Sequence, residues 1–164
     1  MRKNKKLDDA FFQQLISAAH ESPRKRSHHN LHKELDEPVQ RLCIALTKGT
    51  YVRPHHHPQS NKWELMLVLK GQVNLTTFSP EGIILEKSLV GEGESLSGIE
   101  LQQNTWHTVF PVTDEAIMLE VKEGPYTPTQ ESDFAPWSPV EGEPQAADFL
   151  HWLETAEIGE SFSA

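Results

Sequence analysis

Apolar and polar residues change their spacing several times along this chain. Over residues 7–21, Leu7, Phe11, Leu15, Ala18 and Ala19 recur three and four apart, which is one face of a helix. Asp8 and Asp9 fall in its first turn and His20 near its end, which suits the helix dipole, and Ser22-Pro23 stops it. Residues 23–38 are polar and read as irregular. From residue 39 to about 121 the pattern is that of strands broken by Gly, Pro and Asn turns. The segments are 39–47, 63–70 ending at Gly71, 72–78 ending at the hairpin turn Ser79-Pro-Glu-Gly82, 83–90, 98–102, 106–110 and 116–122. Many short strands at even spacing predict an all-β sandwich or a closed jelly-roll barrel. Beyond Lys122 the prolines at 125, 128, 136, 139 and 144 predict an extended arm lying on the barrel. Residues 146–157 read as a short terminal helix burying Phe149, Leu150 and Leu153, and the last seven residues are expected to fray. The expected organisation is one domain in three parts: helix and polar arm (1–38), barrel (39–122), and C-terminal arm with its short helix (123–164).

Composition narrows the class. At 164 residues the chain can bury a real core, and 37% hydrophobic with 24% charged residues is ordinary for a globular protein. A formal charge of −9 argues against nucleic acid or an anionic membrane as partner. The basic Met1–Lys6 run is followed by no apolar stretch of the signal-peptide kind, and no window approaches the ~18 apolar residues of a membrane span, so a cytoplasmic location is expected. The single Cys43, between Leu42 and Ile44, fits a reducing compartment and reads as an inert core thiol.

Histidine is the unusual count: nine, six of them in the clusters His28/His29/His32 and His55/His56/His57. In a strand, residues two apart share a face, so His55 and His57 point one way and His56 the other. Glu64 opens the next strand, and an antiparallel partner would bring its carboxylate beside the pair; His107 follows a turn at Gln103-Asn104. Three imidazoles and a carboxylate form a mixed N/O shell that suits Fe, Mn, Ni, Co or Zn and leaves positions open for a ligand. The absence of thiolates argues against a structural zinc site. A bare His-x-His also occurs in solvated loops; the whole spacing of Gly49, paired His, Glu64, Gly71 and a distal His favours one divalent transition-metal ion.

That spacing, Gly-x5-His-x-His followed by Glu-x6-Gly, resembles the first motif of the cupin superfamily, with Gly49, His55, His57, Glu64 and Gly71 at its positions and His107 matching the histidine of the second. More closely, the chain resembles the WbuC-type cupin-fold metalloproteins from about Arg24 to Glu141. The likeness runs through Asn30-Leu-His32, Pro38-Val-Gln-Arg41, Gly49-Thr-Tyr-Val-Arg-Pro-His55, Trp63-Glu64, Thr105-Trp-His107-Thr, Glu120-Val-Lys-x-Gly-Pro-Tyr126 and Phe134-Ala-x-Trp137-x-Pro139-x-Glu141. It implies a cupin-like double-stranded β-helix and an association with bacterial surface-polysaccharide (O-antigen) gene clusters. Two departures stand out. Six residues separate His57 from Glu64, a longer gap than the motif usually carries, and Gln102-Gln103-Asn104 replaces the Pro-x-Gly before the last ligand. Asn104 tolerates the left-handed conformation that such a turn needs.

Other residues are candidates for substrate binding. Arg53 shares the inward face of His55 and needs an anion, either a substrate group or an internal Glu. Arg41 raises the same choice, with a structural ion pair favoured. Arg24, Arg26, His29, Asn30 and His32 form either an anion-binding lip over the metal or a solvated basic loop. Lys122 and Tyr126 stand where the last strand leaves the barrel; Tyr126 is the candidate acid/base, or else it packs beneath the arm. Trp106, beside His107, is expected to wall the pocket. The expected function is a metal-dependent enzyme acting on a small anionic sugar or nucleotide-sugar by Lewis-acid isomerisation or epimerisation. A non-haem Fe(II) dioxygenase and a non-catalytic sugar-binding or sensing module are the alternatives, and a homodimer is consistent with the fold.

Overall fold

The computed structural model describes residues 4–163; of the basic N-terminal run, Met1–Lys3 lie outside them, as does Ala164. The first helix, α1, spans Asp9–Glu21 and is capped by Asp8, whose carboxylate accepts from the Phe11 N–H. It buries Phe12, Leu15, Ile16 and Ala19. The predicted face is therefore rotated: Leu7 precedes the cap and is exposed, and Ala18 faces solvent. Leu15 and Ala19 belong to both faces; docking onto Cys43, Ala45 and Ile117 selects the one carrying Phe12 and Ile16.

Eight strands follow: β1 (Arg26–Asn30), β2 (Val39–Thr47), β3 (Glu64–Lys70), β4 (Gln72–Phe78), β5 (Ile84–Gly91), β6 (Gly98–Leu101), β7 (Trp106–Pro111) and β8 (Glu115–Glu123). They form two antiparallel sheets, in the orders β1-β2-β8-β3-β6 and β5-β4-β7, the cupin-like double-stranded β-helix. Between the sheets lies a core of Ile44, Leu46, Met66, Val73, Leu75, Val90, Val109 and Met118. Gly71 makes the turn from β3 to β4 at φ +70°, where a Cβ would clash with the Glu115 carbonyl.

Strand β1 occupies part of the segment read as irregular. Its residues, Arg-Ser-His-His-Asn, carry no apolar alternation, yet they pair with β2 from Arg26↔Leu46 to Asn30↔Leu42. An edge strand whose inner side chains face a polar cavity has no need of apolar residues, so its pattern is silent.

The Pro-rich segment lies along the barrel. It carries one short 3-10 turn (Glu131–Asp133), from whose end the chain is stitched to the 54–56 segment: the His56 N–H donates to the Asp133 carbonyl and the Ala135 N–H to the Pro54 carbonyl, at 2.9 and 2.8 Å. The second helix, α2 (Gln145–Thr155), buries Phe149 and Leu153 against Tyr51, Phe78, Ile84 and Phe110. The C-terminal residues do not fray as expected. Ile84 and the 159–160 segment exchange hydrogen bonds of 2.9 Å, and the Phe162 ring packs 5.0 Å from that of Phe149. Phe162 gives this end an apolar anchor. No helix among the described residues is long and apolar enough to cross a membrane.

Phe149 is fully buried and touches the rings of Tyr51, Trp137, Trp152 and Phe162. Phe149→Ala is expected to destabilise the fold by about 3–5 kcal/mol, read as the loss in unfolding free energy by urea titration.

Candidate metal centre

His55 and His57 lie between Pro54 and Pro58, neither of which has an N–H to give a ladder. They therefore sit in an extended segment and not, as expected, inside a regular strand. Two isolated bridges fix this segment, one to Phe134 through the bonds described above and one to His107: the His55 N–H donates to the His107 carbonyl at 3.0 Å, and the His107 N–H returns to the His55 carbonyl at 2.9 Å. The alternation of an extended chain still holds. His55 and His57 face the barrel interior, while His56 stacks on Trp106 with ring centroids 3.8 Å apart. Trp106 thus backs the histidine segment from outside and does not wall the cavity. Asn104 adopts φ +64°, as its place in the turn requires; its N–H donates to the His57 carbonyl and its side-chain oxygen meets His56 Nδ1 at 2.7 Å.

One ligand atom from each of His55, His57 and His107 lies within 4.8 Å of the others. The Nδ1–H of His55 donates to the Arg53 carbonyl and that of His107 to the Thr105 carbonyl, at 3.0 and 2.9 Å. Both bonds fix the tautomer whose Nε2 carries a lone pair for a metal. Glu64 arrives by a different route from the one expected. It pairs not with the histidine segment but with Leu101 of β6 and Lys122 of β8, and it reaches inward from the sheet. Its oxygens stand 3.1 Å from His57 Nε2 and 3.2 Å from His107 Nε2. The longer 58–63 loop is absorbed by a turn with Asn61 at φ +65°, tied to the Gln103 side chain.

These contacts have ion-pair distances but not hydrogen-bond direction: His57 Nε2, His107 Nε2 and Glu64 Oε2 are all buried without a hydrogen-bond partner among the described residues. Buried polar atoms rarely go unpaired. Lone pairs converging on a shared centre are what a cation satisfies, and the three-His, one-carboxylate set fits a divalent transition metal.

The cluster opens into a cavity of 680 Å³ inside the barrel. Its floor is apolar, with Leu42, Ile44, Val52, Met66 and Met118. Of the expected binding residues, Arg53, Asn30, His32, Lys122 and Tyr126 line it and Arg41 does not: its guanidinium pairs with Glu37 at 2.8 Å, four residues back. Arg53 finds its anion in Glu131, at 2.8 Å, with its guanidinium 5.0 Å from the Phe134 ring centre. The polar lip also differs from expectation. Alternation along β1 sends Arg26, His28 and Asn30 into the cavity, while His29 packs edge-on against Phe11 of α1. Arg24 and Arg26 both pair with Glu141. Tyr126 is 48% exposed at the mouth, so it does not pack beneath the arm. Lys122 Nζ lies 3.2 Å from Glu64 and 2.6 Å from Glu120. Sequence reasoning missed His28, Glu120 and Glu141; the two-residue period of Arg26-x-His28-x-Asn30 and of Met118-x-Glu120-x-Lys122 was the available signal.

A family model described as a domain of unknown function (DUF6016) matches residues 7–90. The chain belongs to this family. No curated protein matches it in sequence. Among solved structures, the chain is similar to the conserved SPY1581 protein of unknown function from Streptococcus pyogenes, with 18% identity over 77% of this chain and 93% of that one and a TM-score of 0.51. It is similar to SO0799 from Shewanella oneidensis at 11% identity, 65% and 70% coverage and a TM-score of 0.52. A recombinant oxalate oxidase in complex with glycolate matches at 19% identity, 73% and 62% coverage and a TM-score of 0.52. At these identities the likeness is one of fold.

Charges in this DUF6016 cavity are held in defined states. Burial, then the nearby His107, lowers His55 to about 3, so it stays neutral as a ligand must. Burial acts to raise Glu64, but His107, His57 and Lys122 outweigh it and hold the carboxyl well below 4.5. For His107 burial acts downward, and the Glu64 carboxylate reverses it to a net rise. Lys122 is likewise lowered by burial and raised overall by Glu120 and Glu64, which keeps it cationic.

His55→Ala and His107→Ala are each expected to abolish stoichiometric metal binding, as measured by elemental analysis; full occupancy in both would rule out the cluster as the site. At the cavity lip, burial raises Glu141, but Arg24 and Arg26 outweigh it and hold the carboxyl at about 2 against an ordinary 4.5. A depressed acid stabilises the fold above its unfolded value, and that contribution disappears as pH falls through the folded value. The difference in melting temperature between wild type and Glu141→Gln should therefore be largest above pH 4.5 and shrink toward pH 2.

Proposed function

We propose that this protein is a metal-dependent cupin-fold enzyme acting on an anionic sugar or nucleotide-sugar, with His55, His57, His107 and Glu64 holding one divalent ion. The observation that carries this reading is the convergence of unpartnered buried atoms, His57 Nε2, His107 Nε2 and Glu64 Oε2, on one end of a cavity large enough for a sugar derivative. A divalent ion bound there supplies Lewis acidity to a carbonyl or to vicinal hydroxyls of the ligand.

The chain's own residues supply the rest. Lys122, kept cationic, and Arg53, buried beside the arm, favour an anionic ligand, and the Glu131 carboxylate occupies the position on Arg53 that a ligand's acidic group would take. Tyr126 at the mouth and the buried Glu120 are the cavity groups able to move a proton, as isomerisation or epimerisation requires. The apolar floor excludes water from the reacting part. The oxalate oxidase of similar fold was solved with glycolate, an anionic hydroxylated acid. The resemblance to WbuC-type proteins supports a role in surface-polysaccharide (O-antigen) biosynthesis.

Metal-loaded protein should turn over a member of a panel of uronic acids and nucleotide-sugars at the same rate in air and under anaerobic conditions. A requirement for oxygen with Fe(II) would replace this reading with a dioxygenase. Tight calorimetric binding of the panel without turnover would leave a sugar-binding or sensing module. Removing the ion with chelator should lower the melting temperature, because ligation closes contacts between β3, β7 and the 54–57 segment.

A further inference from the structure

His32 stands at the far side of the cavity from the histidine cluster and is 6% exposed. Its Nδ1 lies 2.9 Å from both the N–H and the carbonyl of Arg41, so its role as donor or acceptor must be decided. In an antiparallel ladder a residue's N–H and C=O point to the same neighbouring strand. The Arg41 carbonyl already accepts the Leu31 N–H at 2.7 Å, so the Arg41 N–H also points toward the β1 side and away from β8. β1 ends at Asn30, which leaves His32 Nδ1 as the acceptor for that N–H. The proton of the neutral ring then sits on Nε2, and this Nε2 is buried without a partner among the described residues. His32 is thus the opposite of His55 and His107: they offer lone pairs to the cavity, and it offers an N–H.

The register gives the separation. Gln40 of β2 pairs with Lys122 of β8, which pairs with Glu64 of β3, and His32 lies beyond the β1 side of this row. Three strand spacings separate His32 from Glu64, roughly 14 Å along the sheet. Lys122 stands between them with its ammonium against Glu64 and Glu120. One sugar ring is too short for that span.

We propose that His32 Nε2–H is the distal hydrogen-bond donor for the ligand, and that the ligand is a sugar acid joined through phosphate to a second unit, of the nucleotide-sugar class. This rests on the anionic-sugar reading of the cavity and extends it. The sugar end meets the histidine cluster, the phosphate passes Lys122, and an acceptor oxygen of the second unit reaches His32. A donor that would otherwise stay buried and unpaired is satisfied only by a ligand that spans the cavity.

Two measurements test this. Long-range proton–nitrogen NMR of labelled protein should show His32 with its proton on Nε2; a proton on Nδ1 overturns the proposal without any ligand. Calorimetry on the metal-loaded protein should show UDP-glucuronate binding at least ~10-fold tighter than glucuronate or UDP alone. His32→Phe should weaken UDP-glucuronate about tenfold and leave glucuronate unchanged, and His32→Gln, which keeps a donor, should recover most of the loss. Equal affinity for long and short probes, or no effect of His32→Phe in a variant of unchanged melting temperature, overturns the proposal and leaves the anionic-sugar reading standing. Failure of all three probes to bind a protein that holds its metal overturns both.

Discussion

Two backbone hydrogen bonds between His55 and His107 hold the candidate centre together. They join a chain segment with no ladder of its own to the start of β7, and so bring ring nitrogens from opposite ends of the barrel sequence within reach of one ion. The prolines at 54 and 58 have no N–H to donate, so the segment is held by isolated bridges and not by a continuous ladder. The C-terminal segment closes the other side, with Asp133 and Ala135 bonded to His56 and Pro54. The Pro-rich arm is therefore part of the wall that positions the ligands and not a decoration on a finished barrel. Second contacts then set the chemistry of each ring. Carbonyls two residues back, at Arg53 and Thr105, choose the tautomers, and Asn104 and Trp106 pin His56 outward so that its neighbours face in.

Burying this much polarity is costly, and the barrel offsets the cost by pairing charges in layers. Glu64 touches two imidazoles and Lys122, Lys122 touches Glu120, and Arg26 with Arg24 holds Glu141 at the lip. Three atoms of the innermost layer still lack hydrogen-bond partners among the described residues, an arrangement that a bound cation would complete. Apolar side chains, Leu42, Ile44, Val52, Met66 and Met118, line the same cavity as these charges. In the proposed reading, that arrangement lets one barrel hold a divalent ion beside a site for an anionic ligand.

The strands of the barrel were legible because their chemistry is local. The 39–47 and 72–78 segments match β2 and β4 at both ends, and β3 and β5 to β8 agree within a residue or two. The same holds for the approach of His55 to His57: a period of two is a property of any extended chain, so the two share a face even where no regular strand forms. Features that depend on a docking partner were not legible. The helix pattern allowed two faces, and contact with Cys43, Ala45 and Ile117 chose between them. Strand β1 has no apolar pattern and exists through its pairing with β2, which also decides that His28 and not His29 enters the cavity. Arg53 announced a need for an anion, but Glu131, 78 residues away, became its partner through the path of the arm.

By itself, the sequence determined the class of the fold, the turns that punctuate it and the residue types able to bind a metal. These follow from backbone geometry and side-chain chemistry, which act over a few residues. Only the tertiary structure decided which groups meet. Glu64 comes to His57 and His107 from β3, supported by β6 and β8, His32 turns a donor toward the cavity because Arg41 claims its other nitrogen, and Arg41 itself faces away. Contacts of this kind depend on sheet order and strand register, which are set by the burial of the whole core and leave no mark in the spacing of nearby residues.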